Sequence, residues 1–206
     1  MNILILSPHT DDAELGAGGY IARLLEEGHY LKFIVFSTAK ESNDINNDIL
    51  AVEFQAVIDK LGIETNQAMV YSYTVRRLNE SRQDVLEILY AEKDKFMPDL
   101  VIGPSVHDCH QDHIVVANEM IRAFRTCSSI ISYELPRNHL TFNNQYYVPL
   151  EERHIQKKLD ILSCYQSQVK KRDYFDEEYI RGLARSRGVQ ICRKYAEVYE
   201  VIRWII

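Results

Sequence analysis

Asn2-Ile3-Leu4-Ile5-Leu6-Ser7-Pro8-His9-Thr10-Asp11-Asp12-Ala13-Glu14 is the stretch that decides the fold. Ile3 to Leu6 is an uninterrupted apolar run of the kind found in a strand buried on both faces. It breaks at once into a histidine and paired carboxylates, residue types that strands and cores disfavour. A second stretch repeats the arrangement: Leu100-Val101-Ile102 leads into His107-Asp108-Cys109-His110-Gln111-Asp112-His113. Something other than packing must place these groups at two strand ends.

Around these anchors the chain alternates. Residues 2–6 predict a first strand and 15–27 a helix, then Leu31 to Phe36 a strand and Asn46 to Leu61 a helix ending at Gly62. Ala68 to Tyr71 predicts a strand, Gln83 to Phe96 a helix stopped before Pro98, and Asp99 to Gly103 the fourth strand. His113 to Phe124 and Ser129 to Glu134 add a helix and a fifth strand. Such alternation implies an α/β fold, a Rossmann-like and mostly parallel sheet with helices on both faces. Beyond Pro136 the pattern changes to an extended stretch (Phe142 to Val148), helices at Glu151 to Cys164 and Asp176 to Tyr195, and a strand from Glu197 to Trp204. No Pro/Gly/Ser linker intervenes, so this is a C-terminal extension of a single domain over residues 1–206. In a 3-2-1-4-5 strand order, ligands bind outside the carboxyl ends of strands one and four. Both polar clusters sit there, distant in sequence and adjacent in space.

A chain of 206 residues with 46% hydrophobic and 26% charged residues has an ordinary globular composition. Its net charge of −6 argues against nucleic acid and against a polybasic membrane surface. No run approaches the ~18 apolar residues of a membrane span, and no signal-type segment precedes the first strand. Cys109, Cys127, Cys164 and Cys192 show no CxxC spacing; reduced thiols and a cytoplasmic location are the expectation. The apolar stretch Val198 to Ile206 offers an edge for homo-oligomer formation.

Two imidazoles and a carboxylate suit a catalytic zinc ion with one position left for water. Taken singly the residues are ambiguous. An aspartate before an apolar helix is a good N-cap, which would account for one of Asp11 and Asp12, or for Asp112, but not for the joint pattern. Gly16-Ala17-Gly18-Gly19 suggests dinucleotide binding, but Ile21 occupies the third glycine position of GxGxxG. Those glycines are better explained by close approach of helix to sheet.

His9-Thr10-Asp11-Asp12-Ala13-Glu14-Leu15-Gly16 resembles the His-Pro-Asp-Asp-x-Glu-x-Gly signature of the PIG-L/LmbE-like N-acetylglucosaminyl deacetylases, and His110-Gln111-Asp112-His113 their His-x-Asp-His signature. Weaker likeness at Arg187-Gly188 and Tyr195-Ala196-Glu197 extends it along the chain. The resemblance implies a zinc-dependent amidase, with another divalent metal allowed, in which His9, Asp12 and His113 hold the metal and Asp11 is the general base. It makes His110, protonated, the group that faces the oxyanion or protonates the leaving amine, with Asp112 as its orienting partner. Thr10 stands where proline is usual, and Leu50 where the family often has a substrate-holding arginine.

Arg76, Arg77, His107 and His139 fall in loops expected to rim the pocket and bind substrate, the two arginines through a phosphate; Tyr133, Glu134 and Arg137 are similarly placed. The Pro104 to His113 motif and Tyr165-Gln166-Ser167-Gln168 resemble family members of polysaccharide biosynthesis. The resulting expectation is a small-molecule acetamido sugar, nucleotide- or lipid-linked, as substrate. Two alternatives remain open: a metalloamidase on another amide such as a thiol conjugate, and a non-catalytic metal-containing carbohydrate-binding module. Asp11 counts against the second, since a structural site has no use for a carboxylate off the metal.

Overall fold

Five parallel strands carry the first part of the chain: β1 (Asn2–His9), β2 (Tyr30–Ser37), β3 (Ala68–Val70), β4 (Leu100–Gly103) and β5 (Ser129–Tyr133). Between them lie α1 (Asp12–Glu26), α2 (Ile49–Leu61), α3 (Arg82–Phe96) and α4 (Gln111–Phe124). The computed structural model describes residues 1–39 and 49–205; residues 46–48, expected to open α2, lie outside them.

Strand side chains alternate between two cores, as the period of two demands. Ile3, Ile5, Phe33, Val35 and Ile102 pack under α1, α2 and a helix of the C-terminal extension, whereas Leu4, Leu6, Ile34, Phe36 and Val101 pack under α3 and α4. Each is fully buried, contributing about 1.5–3 kcal/mol relative to exposure. Because both faces are covered, the strands read as continuous apolar runs.

The C-terminal extension supplies β6 (Tyr146–Leu150), α5 (Glu152–Leu162), α6 (Gln166–Val169), α7 (Glu177–Val189) and β7 (Tyr195–Arg203). It joins the same sheet, whose order is β3-β2-β1-β4-β5-β7-β6, with β7 antiparallel to both neighbours. The final helix stops six residues short of the expected Tyr195, where the chain doubles back. A Cβ at Gly188 would lie 2.7 Å from the Lys194 carbonyl oxygen, so only glycine lets the returning segment pass.

Helix α1 lies against the sheet as its glycines suggested. A Cβ at Gly16 would meet the Tyr133 ring at 2.5 Å, and one at Gly19 would meet Leu150 at 2.4 Å. Beside Gly19 sits a buried carboxylate, Glu197 of β7. It accepts from the Gly19 and Tyr20 N–H groups at 2.9 and 2.7 Å, from Lys158 Nζ at 2.7 Å and from the Tyr199 hydroxyl at 2.9 Å. Lys158 also donates to the Leu15 carbonyl at 2.6 Å.

Candidate active site

At the end of β1, Ser7 Oγ accepts the Ala13 N–H at 3.1 Å and donates to the His9 carbonyl at 2.5 Å. The first turn of α1 is thereby held by Ser7, and Asp11, though at the N-cap, makes no side-chain cap bond. Asp11 has φ 86°, a left-handed conformation that aspartate tolerates better than most residues. Its N–H donates to Tyr165 Oη at 3.1 Å, and that hydroxyl donates to Glu14 Oε1 at 3.1 Å. The N-cap explanation thus leaves the Asp11 carboxylate unused. Thr10 N–H donates to the Ser37 carbonyl at 3.2 Å, a bond that the family's usual proline cannot form.

Across the switch point, the first turn of α4 brings His113 to the same place. His9 Nδ1, Asp12 Oδ2 and His113 Nε2 form a near-equilateral triangle with sides of 3.1, 3.1 and 3.2 Å. Zinc bonds of about 2.0–2.2 Å in a tetrahedron separate neighbouring donors by roughly 3.3 Å, so this donor set fits a divalent metal. Each imidazole is backed by a carboxylate on its far nitrogen: His9 Nε2 lies 2.9 Å from Asp112 Oδ2, and His113 Nδ1 lies 2.7 Å from Asp108 Oδ2. Such partners fix the tautomer and aim the lone pair. A second combination, one ring nitrogen each from His9, His110 and His113, falls within 4.8 Å.

Two expectations about His110 are corrected. Asp112 does not orient its ring; that carboxylate is taken by His9 and by the N–H groups of Arg76 at 2.6 Å and Leu78 at 3.1 Å. Instead His110 caps α4, its Nδ1 accepting the Asp112 N–H at 3.2 Å. A ring accepting at Nδ1 is neutral with its proton on Nε2, rather than protonated. Burial and the charges of His113 and His9 hold its pKa below the ordinary histidine value accordingly.

The remaining charges interlock. Burial acts to lower the His113 pKa, but the Asp12 and Asp108 carboxylates push it up to about 10. Burial raises the Asp12 pKa, and the charge and hydrogen bonds of His113 and His9 more than reverse that, leaving it lowered. Burial, then Asp12, then Glu14 drive the Asp11 carboxyl well above the ordinary range. Glu14 is wholly buried, and burial raises its pKa to about 7.

His9, Asp11, Asp12, His110 and His113 floor an open cleft of about 820 Å³. Of the expected rim residues, Arg76 lines it, and so do Glu134 and Arg137. Arg77 does not; its side chain is 61% exposed and lies 3.7 Å from Glu80. His107 points away toward Glu200 at 3.7 Å. His139 is corrected as well: its side chain is buried and stacked on Phe142, and Nδ1 accepts the Leu135 N–H at 3.3 Å. The segments after β3, β4 and β5 carry these three side chains off the cleft. Tyr133 is buried too, donating to the Leu6 carbonyl at 3.2 Å.

Several residues of the site escape a reading of local pattern. Asp108 looks like one more polar loop residue. Lys171, Arg172 and Tyr174 lie in the extension and reach the cleft only through folding. Leu50 lines the cleft, with Ile49 beside it, in place of the expected arginine.

The sequence profile of the family described as PIG-L: GlcNAc-PI de-N-acetylase matches residues 4–124, more than half of the chain. YaiS, an uncharacterized deacetylase of Escherichia coli K12, is 29% identical over 170 residues, spanning 80% of this chain and 90% of its own. Among solved structures, the N,N'-diacetylchitobiose deacetylase of Pyrococcus horikoshii is 20% identical with a TM-score of 0.75, covering 98% of this chain and 83% of the other. GalB, the 4-carboxy-2-hydroxymuconate hydratase of Pseudomonas putida KT2440, is 18% identical with a TM-score of 0.79, covering 100% and 97%. At such identities the structures attest the fold alone. One fold serving a deacetylase and a hydratase means that the reaction must be argued from side chains.

Proposed function

The chain belongs to the PIG-L family, and from that premise we propose that it is a metal-dependent N-deacetylase. It hydrolyses the acetamide of an amino sugar, nucleotide- or lipid-linked, to free amine and acetate. The observation that carries this reading is the donor triangle of His9, Asp12 and His113, with both imidazoles backed by carboxylates. Those three would hold the ion, with zinc the first choice for a two-His, one-carboxylate set. The three-histidine alternative is weaker, because it leaves Asp12 facing two ligand atoms with no role.

When bound, the ion would acidify water to a pKa of ~7 and polarise the amide carbonyl. Asp11, free of capping duty, takes the proton of the attacking water. Burial and the neighbouring Asp12 and Glu14 charges raise its pKa, which strengthens it as a proton acceptor. Neutral His110 offers its Nε2–H to the developing oxyanion, and the proton held on Asp11 passes to the leaving amine. The four free cysteines support a cytoplasmic setting, and the Tyr165 to Gln168 motif supports a place in polysaccharide synthesis.

Acetate release from a panel of acetamido sugars by zinc-loaded protein tests this reading, alongside metal analysis of wild type and His113→Ala. Acetate and amine should appear together, with bound metal lost in the variant. No acetate from any sugar would overturn the reaction, and undiminished metal in His113→Ala would overturn the ligand set.

A further inference from the structure

The chain is acidic overall, at −6, yet one rim of the cleft is cationic. Arg137 follows β5, Lys171 and Arg172 follow α6, and all three line the same cleft as His9, Asp12 and His113. None has a carboxylate partner among the described residues. Glu134, three residues before Arg137 and lining the same cleft, is already held by Arg187 through a two-point pair, one contact at 3.0 Å. The Arg137 guanidinium lies over the Tyr174 ring at 4.7 Å, which fixes it at the rim instead of letting it sweep through solvent. Arg172 lies close enough to Asp11 and Tyr174 for its charge to act on both. Three cations without a salt-bridge partner among the described residues, set over the reacting groups of an acidic protein, create a local field that attracts anions.

We propose that Arg137, Lys171 and Arg172 form an anion seat, so that the substrate carries a phosphate or carboxylate beyond its acetamido sugar ring. Planar guanidinium forks match both oxyanions through paired N–H donors. The sugar component rests on the deacetylase reading; the seat itself does not. Its location also differs from the sequence expectation, which placed the anion contacts on Arg76 and Arg77.

Calorimetric titration of the zinc-loaded full chain separates the two ideas. N-acetylglucosamine, its 1-phosphate, its uridine diphosphate and a carboxylated acetamido sugar serve as probes. We expect at least one anionic probe to bind about tenfold or more tightly than the neutral sugar. Most of that preference should disappear in the Arg137→Ala/Arg172→Ala double variant and persist in Lys95→Ala/Arg125→Ala, an equal-charge control at the ends of α3 and α4. The tightest probe then distinguishes phosphate from carboxylate. Equal binding of neutral and anionic probes, or a preference surviving in the double variant, would overturn the seat. A preference without acetate release leaves the seat standing and refutes the deacetylase. Acetate release without preference does the reverse.

Discussion

Asp11 and Asp12 are adjacent and chemically identical, yet the backbone turns between them. Left-handed φ at Asp11 sends one carboxylate into the cleft, while Asp12 begins the helix and meets His9 and His113. Asp11→Asn should therefore retain metal and lower the rate by roughly 10²- to 10⁴-fold, the usual loss for a missing general base. Asp12→Asn should lose metal affinity and recover part of its activity in excess zinc. Asp108→Asn should act through His113 and weaken metal binding roughly 10- to 100-fold, as the loss of an orienting carboxylate does. Metal titration beside steady-state kinetics checks all three. Metal loss in Asp11→Asn with none in Asp12→Asn would reverse the assignment. The family resemblance implied His9, Asp12 and His113 as a set, but the role of Asp108 became visible only once His113 was seen to lean on it.

At the level of elements, the extension holds α1 by a buried ion pair rather than by apolar contact alone. Lys158 of α5 and Glu197 of β7 meet at 2.7 Å, their side chains 5% and 7% exposed, and they bond α1 backbone groups on the same side. Removing one partner leaves the other charged and dry, at a cost of about 3–5 kcal/mol. Lys158→Met should accordingly lower the urea midpoint far more than Glu197→Leu/Lys158→Met together, because the double change removes both charges. Equal losses in single and double variants would show that shape, not charge, dominates there. Sequence patterning identified α5 and β7 but not their contact, since Lys158 reads as an ordinary polar position on an amphipathic helix.

For the molecule as a whole, Glu14 couples the site to stability. Its carboxyl is wholly buried, and Oε2 has no partner. In the metal-free protein burial raises its pKa from 4.5 to about 7. Between those values the unfolded chain has released the proton while the folded one keeps it, so stability falls as pH rises from 4.5 to about 7 and then levels. The span corresponds to about 3 kcal/mol. Glu14→Gln, a neutral mimic, should abolish that part of the slope in urea unfolding of metal-stripped protein. A variant whose pH profile parallels wild type would refute it.

Much of this protein was written in its sequence. Apolar runs ending in His-Asp clusters determined the parallel sheet, the strand order around the switch point and the residues that meet there, because burial period and chain connectivity leave few other arrangements. The family resemblance of the motif also implied which imidazoles and carboxylates could serve a metal. Side-chain direction was decided by tertiary structure alone. Arg77, His107 and His139 share loops with true cleft residues, yet local backbone turns point them at Glu80, Glu200 and Phe142. Asp112 serves His9 rather than its neighbour His110, because hydrogen-bond geometry follows distance in space. The cationic rim likewise exists only after α6 and the loop following β5 are brought together, since charge in a sequence has no direction until the chain is folded.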